Sequence, residues 1–194
     1  MVVLSVGPFI SAVYNRCMKE QTLNSKIIYS GKVVQLRVET VEGPKGRSVR
    51  EIVDHANAVT IIPFEAPNKV WLIHQYRKAV DTVLIESPAG CMEDRESPLL
   101  AASRELAEET GFRAEHLHAV GEMYMAPGFC NEYMHYFIAT GLTKGATNMD
   151  VDECIELVPY TLEEVDAMIA NHTIIDAKTI MGISFLHTFL ARES

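Results

Sequence analysis

Residues Gly90 to Phe112 read GCMEDRESPLLAASRELAEETGF, and no other stretch restricts the fold of this chain as much. Five residues separate Gly90 from Glu96. Seven more lead to Arg104-Glu105-Leu106, Ala107, Glu108-Glu109, Thr110, Gly111 and Phe112. Ser97-Pro98 is a helix start, because a serine oxygen accepts from the orphan amides of a first turn and proline there has no amide to leave unpaired. Gly111 stands where a helix ends in a left-handed residue. The spacing therefore predicts one short helix, on which Glu105, Glu108 and Glu109 (i, i+3, i+4) share a face. Like charges so placed destabilise a helix by about 0.2–0.5 kcal/mol per pair, and a divalent cation reverses the sign. Carboxylate oxygens suit Mg²⁺ or Mn²⁺. Leu99, Ala102 and Leu106 fall on the other side and are expected to seat the helix on a core. A solvated acidic face is the alternative use of such a charge run. Gly90, Glu96, Arg104 and Gly111 at their fixed offsets speak against it.

The whole pattern, G-x5-E-x7-R-E-U-x-E-E-x-G-U with U apolar, resembles the Nudix box, the signature of hydrolases that cleave a nucleoside diphosphate linked to another moiety. Further stretches resemble the ADP-ribose pyrophosphatase branch of that superfamily over roughly residues 20–190, a domain-sized span. They are Arg50-Glu51-Ile52-Val53-Asp54-His55, Gln75-Tyr76-Arg77, Ser87-Pro88-Ala89-Gly90, Pro127-Gly128-Phe129 with Glu132, and Asp176-Ala177-Lys178-Thr179. Pro127, about fifteen residues past the box, resembles the mark of ADP-ribose hydrolysis. The resemblance implies an α+β fold: an α/β/α Nudix sandwich around a mixed sheet, with a small N-terminal antiparallel β domain that builds a homodimer.

The order of elements read from pattern agrees. Residues 26–55 alternate around Gly31 and the turn at residues 42–46, giving a meander of two or three antiparallel strands. Asn57–Phe64 and Lys69–Gln75, then His118–Met125 and Tyr133–Thr140, read as strand pairs, the second pair joined by a loop at residues 126–132. Ile155–Pro159 is a short strand. Thr161 caps Leu162–Ala170 with Glu164 in a capping box, and Asp176 caps a last helix running to about Ala191. The expected organisation is an N-terminal extension at 1–25, a β-meander dimerisation region at 26–56 and a hydrolase domain at 57–194. So small a meander cannot bury a core alone and would expose strand edges without a partner.

Composition limits the function classes. The net charge of −9 argues against a nucleic-acid groove, so an anionic substrate must be drawn in by local cations and metal. Cys17, Cys91, Cys130 and Cys154 show no zinc spacing and read as reduced thiols of a cytoplasmic protein. Cys91 and Cys130 fall beside candidate site residues. The apolar start, MVVLSVGPFISAVY, is too short to span a bilayer and lacks a basic leading region. An extra strand or helix packed on the body is the expectation there, and Met18 is an alternative translation start. No membrane association is expected.

The resemblance also implies roles. Glu105 and Glu109 bind metal directly, Glu108 binds metal or holds its waters, and the Ala89 carbonyl completes a set for roughly two or three divalent ions. Glu96 and Arg104 are expected to pair with each other or with box carboxylates, supporting the site with Gly90. Arg77, ending an apolar strand, either grips the pyrophosphate with its planar fork or is an ordinary exposed charge. Arg50 either reaches a neighbouring subunit's substrate or pairs across strands with Glu51 or a partner. Tyr29 or Phe129 either stacks on adenine or packs in the core. For the base, Glu132 on the proline-glycine loop is favoured over Glu153, since loops on rigid scaffolds carry catalytic groups.

The expected function is metal-dependent hydrolysis of ADP-ribose, or a related nucleoside diphosphate sugar, to a nucleoside monophosphate and a sugar phosphate. Other nucleoside diphosphate derivatives, such as a GDP-sugar or a dinucleoside polyphosphate, are the alternative substrates. A sensor that binds ADP-ribose without cleaving it is the alternative class, disfavoured because every box carboxylate is present.

Overall fold

The computed structural model describes residues 18–145 and 155–193, and the chain divides into two compact units. The first unit ends at His55 and takes in Ala126–Asn131. Its frame is an antiparallel sheet in the order β1 (Gln21–Ser30), β2 (Val34–Gly43), β3 (Gly46–His55). Gly43 pairs with Gly46 across a tight hairpin, and Gly46 has φ 99°, where a side chain would strain the backbone. The meander was expected from residue 26, but β1 begins at Gln21. Its pairing slips between Thr22 and Asn24 and between Ile27 and Tyr29, which breaks the period-2 pattern that would reveal the start. Every residue of this edge strand is exposed, Leu23, Ile27, Ile28 and Tyr29 included. The segment at 126–131 lies along β3: Val53 N donates to Phe129 O at 2.7 Å and Asn131 Nδ2 to Asp54 Oδ1 at 2.9 Å.

The second unit holds β4 (Ala58–Glu65), β5 (Lys69–Arg77), β6 (Thr82–Glu86), β7 (Ala89–Cys91), helix α1 (Pro98–Thr110), β8 (Phe112–Arg113), β9 (His116–Tyr124), β10 (Tyr133–Thr140), β11 (Thr143–Lys144), β12 (Ile155–Thr161), α2 (Leu162–Ala170) and α3 (Ala177–Glu193). Its main sheet runs β12-β5-β4-β10-β9, with β6 added to β5 and β7 to β4. Only β4 and β10 pair in parallel, so the sheet is mixed. The short β6 and β7 escape sequence reading, because strands of five and three residues are too brief to display alternation.

Alternation along the central strands assigns the layers. Ile62 and Phe64 of β4, Val70 and Leu72 of β5 and Ile138 of β10 form one core with Val165, Ile174, Ile183 and Leu186 from the α2–α3 region. The intervening Val59, Ile61, Phe137 and Ala139 form a second core with Ala101, Ala102 and Leu106 of α1. Helices therefore cover both faces, which is the α/β/α sandwich within an α+β fold. Two-sided burial explains why β4 and β10 read as nearly unbroken apolar runs.

The helix ends follow the chain's local chemistry. Leu100 N donates to Ser97 Oγ, Pro98 opens α1, and Gly111 closes it at φ 70°. Thr161 and Glu164 form a reciprocal capping box on α2. Asp176 Oδ2 accepts from Thr179 N at 2.9 Å at the start of α3. One expectation about α1 fails. Leu99 is exposed, and Ala101 takes its place on the sheet beside Ala102 and Leu106. Glu105 and Glu109 lie in that same buried stripe, not opposite it. Position 99 lies in the first turn, ahead of the ridge that 101, 105 and 109 form by repeating every four residues. Among the described residues no helix is long and apolar enough to cross a membrane.

Candidate active site

The site grows from the contact between β7 and α1. Strand β7 is hydrogen-bonded to β4, with Gly90 opposite Val59 and Ala89 opposite Thr60. A Cβ on Gly90 would lie 2.0 Å from Glu105 Oε1, so the carboxylate rests on bare backbone. Beside it Glu109 Oε2 accepts from Ala89 N at 2.9 Å. Both side chains are almost buried, Glu105 at 8% and Glu109 at 5% exposure. Glu108 is half-buried on the same helix.

Arg104 stands inside this acidic group. Its Nε and Nη2 bind Glu96 Oε1 and Oε2 at 3.0 and 2.9 Å, and Nη1 reaches Glu105 at 2.6 Å and Glu108 at 3.0 Å. Nη2 also donates to Cys91 O at 3.1 Å. Glu96 foremost raises the Arg104 guanidinium above its ordinary value, and Arg104 in turn holds the Glu96 carboxyl low. One guanidinium pairs with three carboxylates here, and Glu109 beside them makes a fourth, an excess of negative charge that suits a hard divalent cation. As they stand, no three such side chains among the described residues converge into a ready cage. Arg104 Nη1 lies between Glu105 and Glu108, where a cation would compete with it.

Arg77 lies at the end of β5, with Nε and Nη2 each 2.8 Å from the two oxygens of Glu86. Glu86, at the end of β6, is 1% exposed and also receives Lys178 Nζ. Lys178 continues to Asp176 Oδ2 at 3.0 Å, Asp176 to Thr179 Oγ1 at 2.6 Å, and Thr179 Oγ1 accepts from Ser87 N at 2.7 Å. Burial alone would raise the Glu86 carboxyl, but Arg77 and Lys178 bring it below the ordinary carboxylate value. Glu86 foremost raises Arg77, and the charge of Glu109 contributes. Arg77, Ser87 and the stretch at 176–179 are legible in the sequence as parts of this network, and Glu86 is not. Its one signal is a carboxylate closing the apolar run Val83-Leu84-Ile85 directly before Ser87-Pro88.

Glu132 is half-buried just ahead of β10, and Met125 N donates to its carbonyl at 3.2 Å. Two neighbours register its charge. The exposed Cys91 has its thiol raised by desolvation first, then by Glu132 and Glu105. Burial, then Asp176 and Glu132, push the Tyr136 phenol up to about 12. Glu132 and Glu105 thus act on one thiol. Glu153 lies outside the described residues.

The first unit carries the other candidates. Arg50 pairs with Glu20, Nε to Oε2 at 3.0 Å, and not with Glu51. Neighbouring residues of a strand face opposite ways, so Arg50 and Glu51 cannot meet. Tyr29 and Phe129 are both exposed at 58%, so core packing is not their role. The Tyr29 ring covers Gly31, where a Cβ would fall 2.6 Å from its hydroxyl.

Similar proteins match this chain along most of their length. A methanol dehydrogenase activator from Bacillus methanolicus is 38% identical over 174 residues, covering 88% of this chain and 94% of the relative. An ADP-ribose pyrophosphatase from Bacillus subtilis is 37% identical with the same coverage. A GDP-mannose pyrophosphatase from Yersinia enterocolitica is 36% identical over 153 residues, 74% of this chain and 80% of the relative. The crystal structure of an ADP compounds hydrolase superposes with a TM-score of 0.82 at 22% identity, across 91% of this chain and 96% of that one. The NUDIX domain model matches residues 54–181, and the chain belongs to the Nudix family.

Proposed function

We propose that this chain is a metal-dependent pyrophosphohydrolase that converts ADP-ribose, or a related nucleoside diphosphate sugar, to a nucleoside monophosphate and a sugar phosphate. The observation that carries the reading is the seating of Glu105 and Glu109 against Ala89–Gly90, beside Glu108 and with one guanidinium among four carboxylates. Glu105, Glu109, Glu108 and the Ala89 carbonyl would hold Mg²⁺ or Mn²⁺, roughly two or three ions by family precedent. The ions supply charge neutralisation at the two phosphates. Arg104, already paired with Glu96, keeps its link to the loop when Nη1 gives way. Arg77 contacts the pyrophosphate. Glu132 accepts the proton of the water that attacks phosphorus, the bridging oxygen leaves with the second product, and Glu153 is the alternative acceptor.

Relatives named for ADP-ribose and for GDP-mannose support a nucleotide-sugar substrate and define the test. ADP-ribose, GDP-mannose, other nucleotide sugars, dinucleoside polyphosphates and NADH are assayed with Mg²⁺ or Mn²⁺. ADP-ribose is expected to give the highest kcat/KM. A preference for GDP-mannose would change the sugar and base while keeping the reaction. Preference for dinucleoside polyphosphates would overturn the assignment, and binding without product over a metal titration would make the chain a sensor.

The assembly in this reading is a cytoplasmic homodimer joined through the first unit. Its support is β1, an edge strand with every residue exposed and four large apolar side chains among them. Light scattering should give twice the chain mass at micromolar concentration. A fully active monomer would remove both the dimer and any reach of Arg50 to a second subunit.

A further inference from the structure

Most arginines at strand ends keep their guanidinium in water and move freely, and Arg77 does not. Two of its donors form a parallel fork with Glu86, both at 2.8 Å, on a carboxylate that is 1% exposed. A fork–fork pair fixes the plane of the guanidinium as well as its position. The pair uses Nε and Nη2 and leaves Nη1 out of it, while the Arg77 side chain keeps 39% of its surface exposed. One edge is clamped to a buried carboxylate while the side chain as a whole stays partly exposed. The charge of Glu109 also acts on Arg77, so the guanidinium stands within electrostatic reach of that box carboxylate.

Burying a carboxylate is costly unless its partners are well placed, and one bidentate arginine would already neutralise Glu86. The structure adds Lys178 on the same oxygen and ties it to Asp176 at the start of α3. Arg77 and Lys178 against Glu86 and Asp176 make a balanced group of four. It joins β5 and β6 to the last helix, with Thr179 and Ser87 extending the link to the segment that leads into Ala89–Gly90. The group contributes more than charge balance: it holds one cation in a fixed orientation beside the box.

We propose that Glu86 is a positioning residue that presents Arg77 to the substrate's pyrophosphate, with Lys178 and Asp176 holding Glu86 itself in place. The proposal rests on Arg77 being a phosphate contact. Glu86 touches no substrate and acts only through the guanidinium, which sets it apart from a carboxylate that merely stabilises the fold.

A double-mutant cycle in Glu86 and Arg77 tests this, read both as kcat/KM for ADP-ribose and as calorimetric affinity for ADP-ribose in EDTA. The second readout isolates the arginine–phosphate contact from metal. Partners standing behind a functional group are typically worth about 10–100-fold, so Glu86→Gln is expected to weaken binding in that range, mostly through KM. In an Arg77→Ala background the same change should cost no more than about twofold, because the residue it acts through is gone. Equal losses in both backgrounds, or no loss in the wild-type one, overturn the proposal. If Arg77→Ala alone binds ADP-ribose like the wild type, the reading of Arg77 fails instead, and the two failures are distinguishable.

Glu86→Gln leaves two cations with one carboxylate and so risks the fold. Glu86→Gln/Lys178→Met removes one charge of each sign and keeps side-chain bulk. With its melting temperature close to wild type, this pair is expected to show the same Arg77-dependent loss. Wild-type affinity in a folded Glu86→Gln/Lys178→Met variant counts against the proposal as directly as additivity in the cycle.

Discussion

Gly90 and Glu105 occupy one space: a side chain on the glycine would fall 2.0 Å from the carboxylate oxygen that rests there. The requirement for glycine at this position is therefore steric and set by a residue on α1, not by backbone conformation. Gly90→Ala must push Glu105 off its seat or part β7 from the helix. Overpacking of this kind costs about 1–3 kcal/mol of stability. The loss in function should be larger, since misplacing a site group by about 1 Å lowers rates on the order of a hundredfold. Steady-state kinetics in saturating metal, with a melting curve on the same sample, checks both. A fully active Gly90→Ala would show that Glu105 need not sit where the structure has it.

The depressed Glu86 carboxyl gives stability a pH dependence with a definite sign. Its folded value lies below the ordinary 4.5, so its stabilisation is fully present above that pH and is lost as the pH falls through the folded value. Glu96, held low by Arg104, acts in the same direction. Melting temperature measured from pH 7 to pH 3 should therefore fall below about pH 4.5. Glu86→Gln should start lower at neutral pH and fall less steeply on acidification, with the Glu96 component remaining. Parallel curves for the two proteins would mean that Glu86 has the same proton affinity folded and unfolded.

What the sequence makes legible follows from how local each cause is. Ser97, Pro98, Gly111, Thr161 and Glu164 act on backbone within a few residues, and each cap forms where the pattern places it. The central strands are legible because both faces are buried. Leu99 was misplaced because a count of apolar positions does not show which turn reaches the sheet. Glu86 was missed for a different reason. Its partners lie 9 residues back and 92 residues ahead, and no local pattern carries that information. Arg50 likewise finds Glu20, 30 residues away, and not its neighbour in sequence.

Cys91 offers a probe of the acidic cluster that needs no substrate. Its thiol is raised by desolvation first and by Glu132 and Glu105 after that, which suppresses the thiolate and slows alkylation. Glu132→Gln removes one of those charges, so the thiol should titrate lower and react faster with iodoacetamide at pH 8. The gain should stay below about tenfold, one pKa unit, because the larger cause remains. An unchanged rate, with Cys91 identified as the labelled site by mass spectrometry, would separate Glu132 from the cluster.

The choice of base is the sharpest test of the chemistry. Glu132 is half-buried just ahead of β10, and its charge, like that of Glu105, acts on the Cys91 thiol. A base acts along the reaction coordinate and not in binding, so Glu132→Gln should lower kcat far more than it changes KM. General-base assistance is worth about 10²–10⁴-fold, and the loss at neutral pH should fall in that range. Glu153→Gln should cost only a few-fold, through a weakened water or metal shell. The reverse ranking would move the base to Glu153 and leave Glu132 as a group that orders its loop. Small and equal losses in both would mean that neither carboxylate is needed to take the proton, and that the ions activate the water unaided. A kcat loss confined to the Glu132 variant is the expected result.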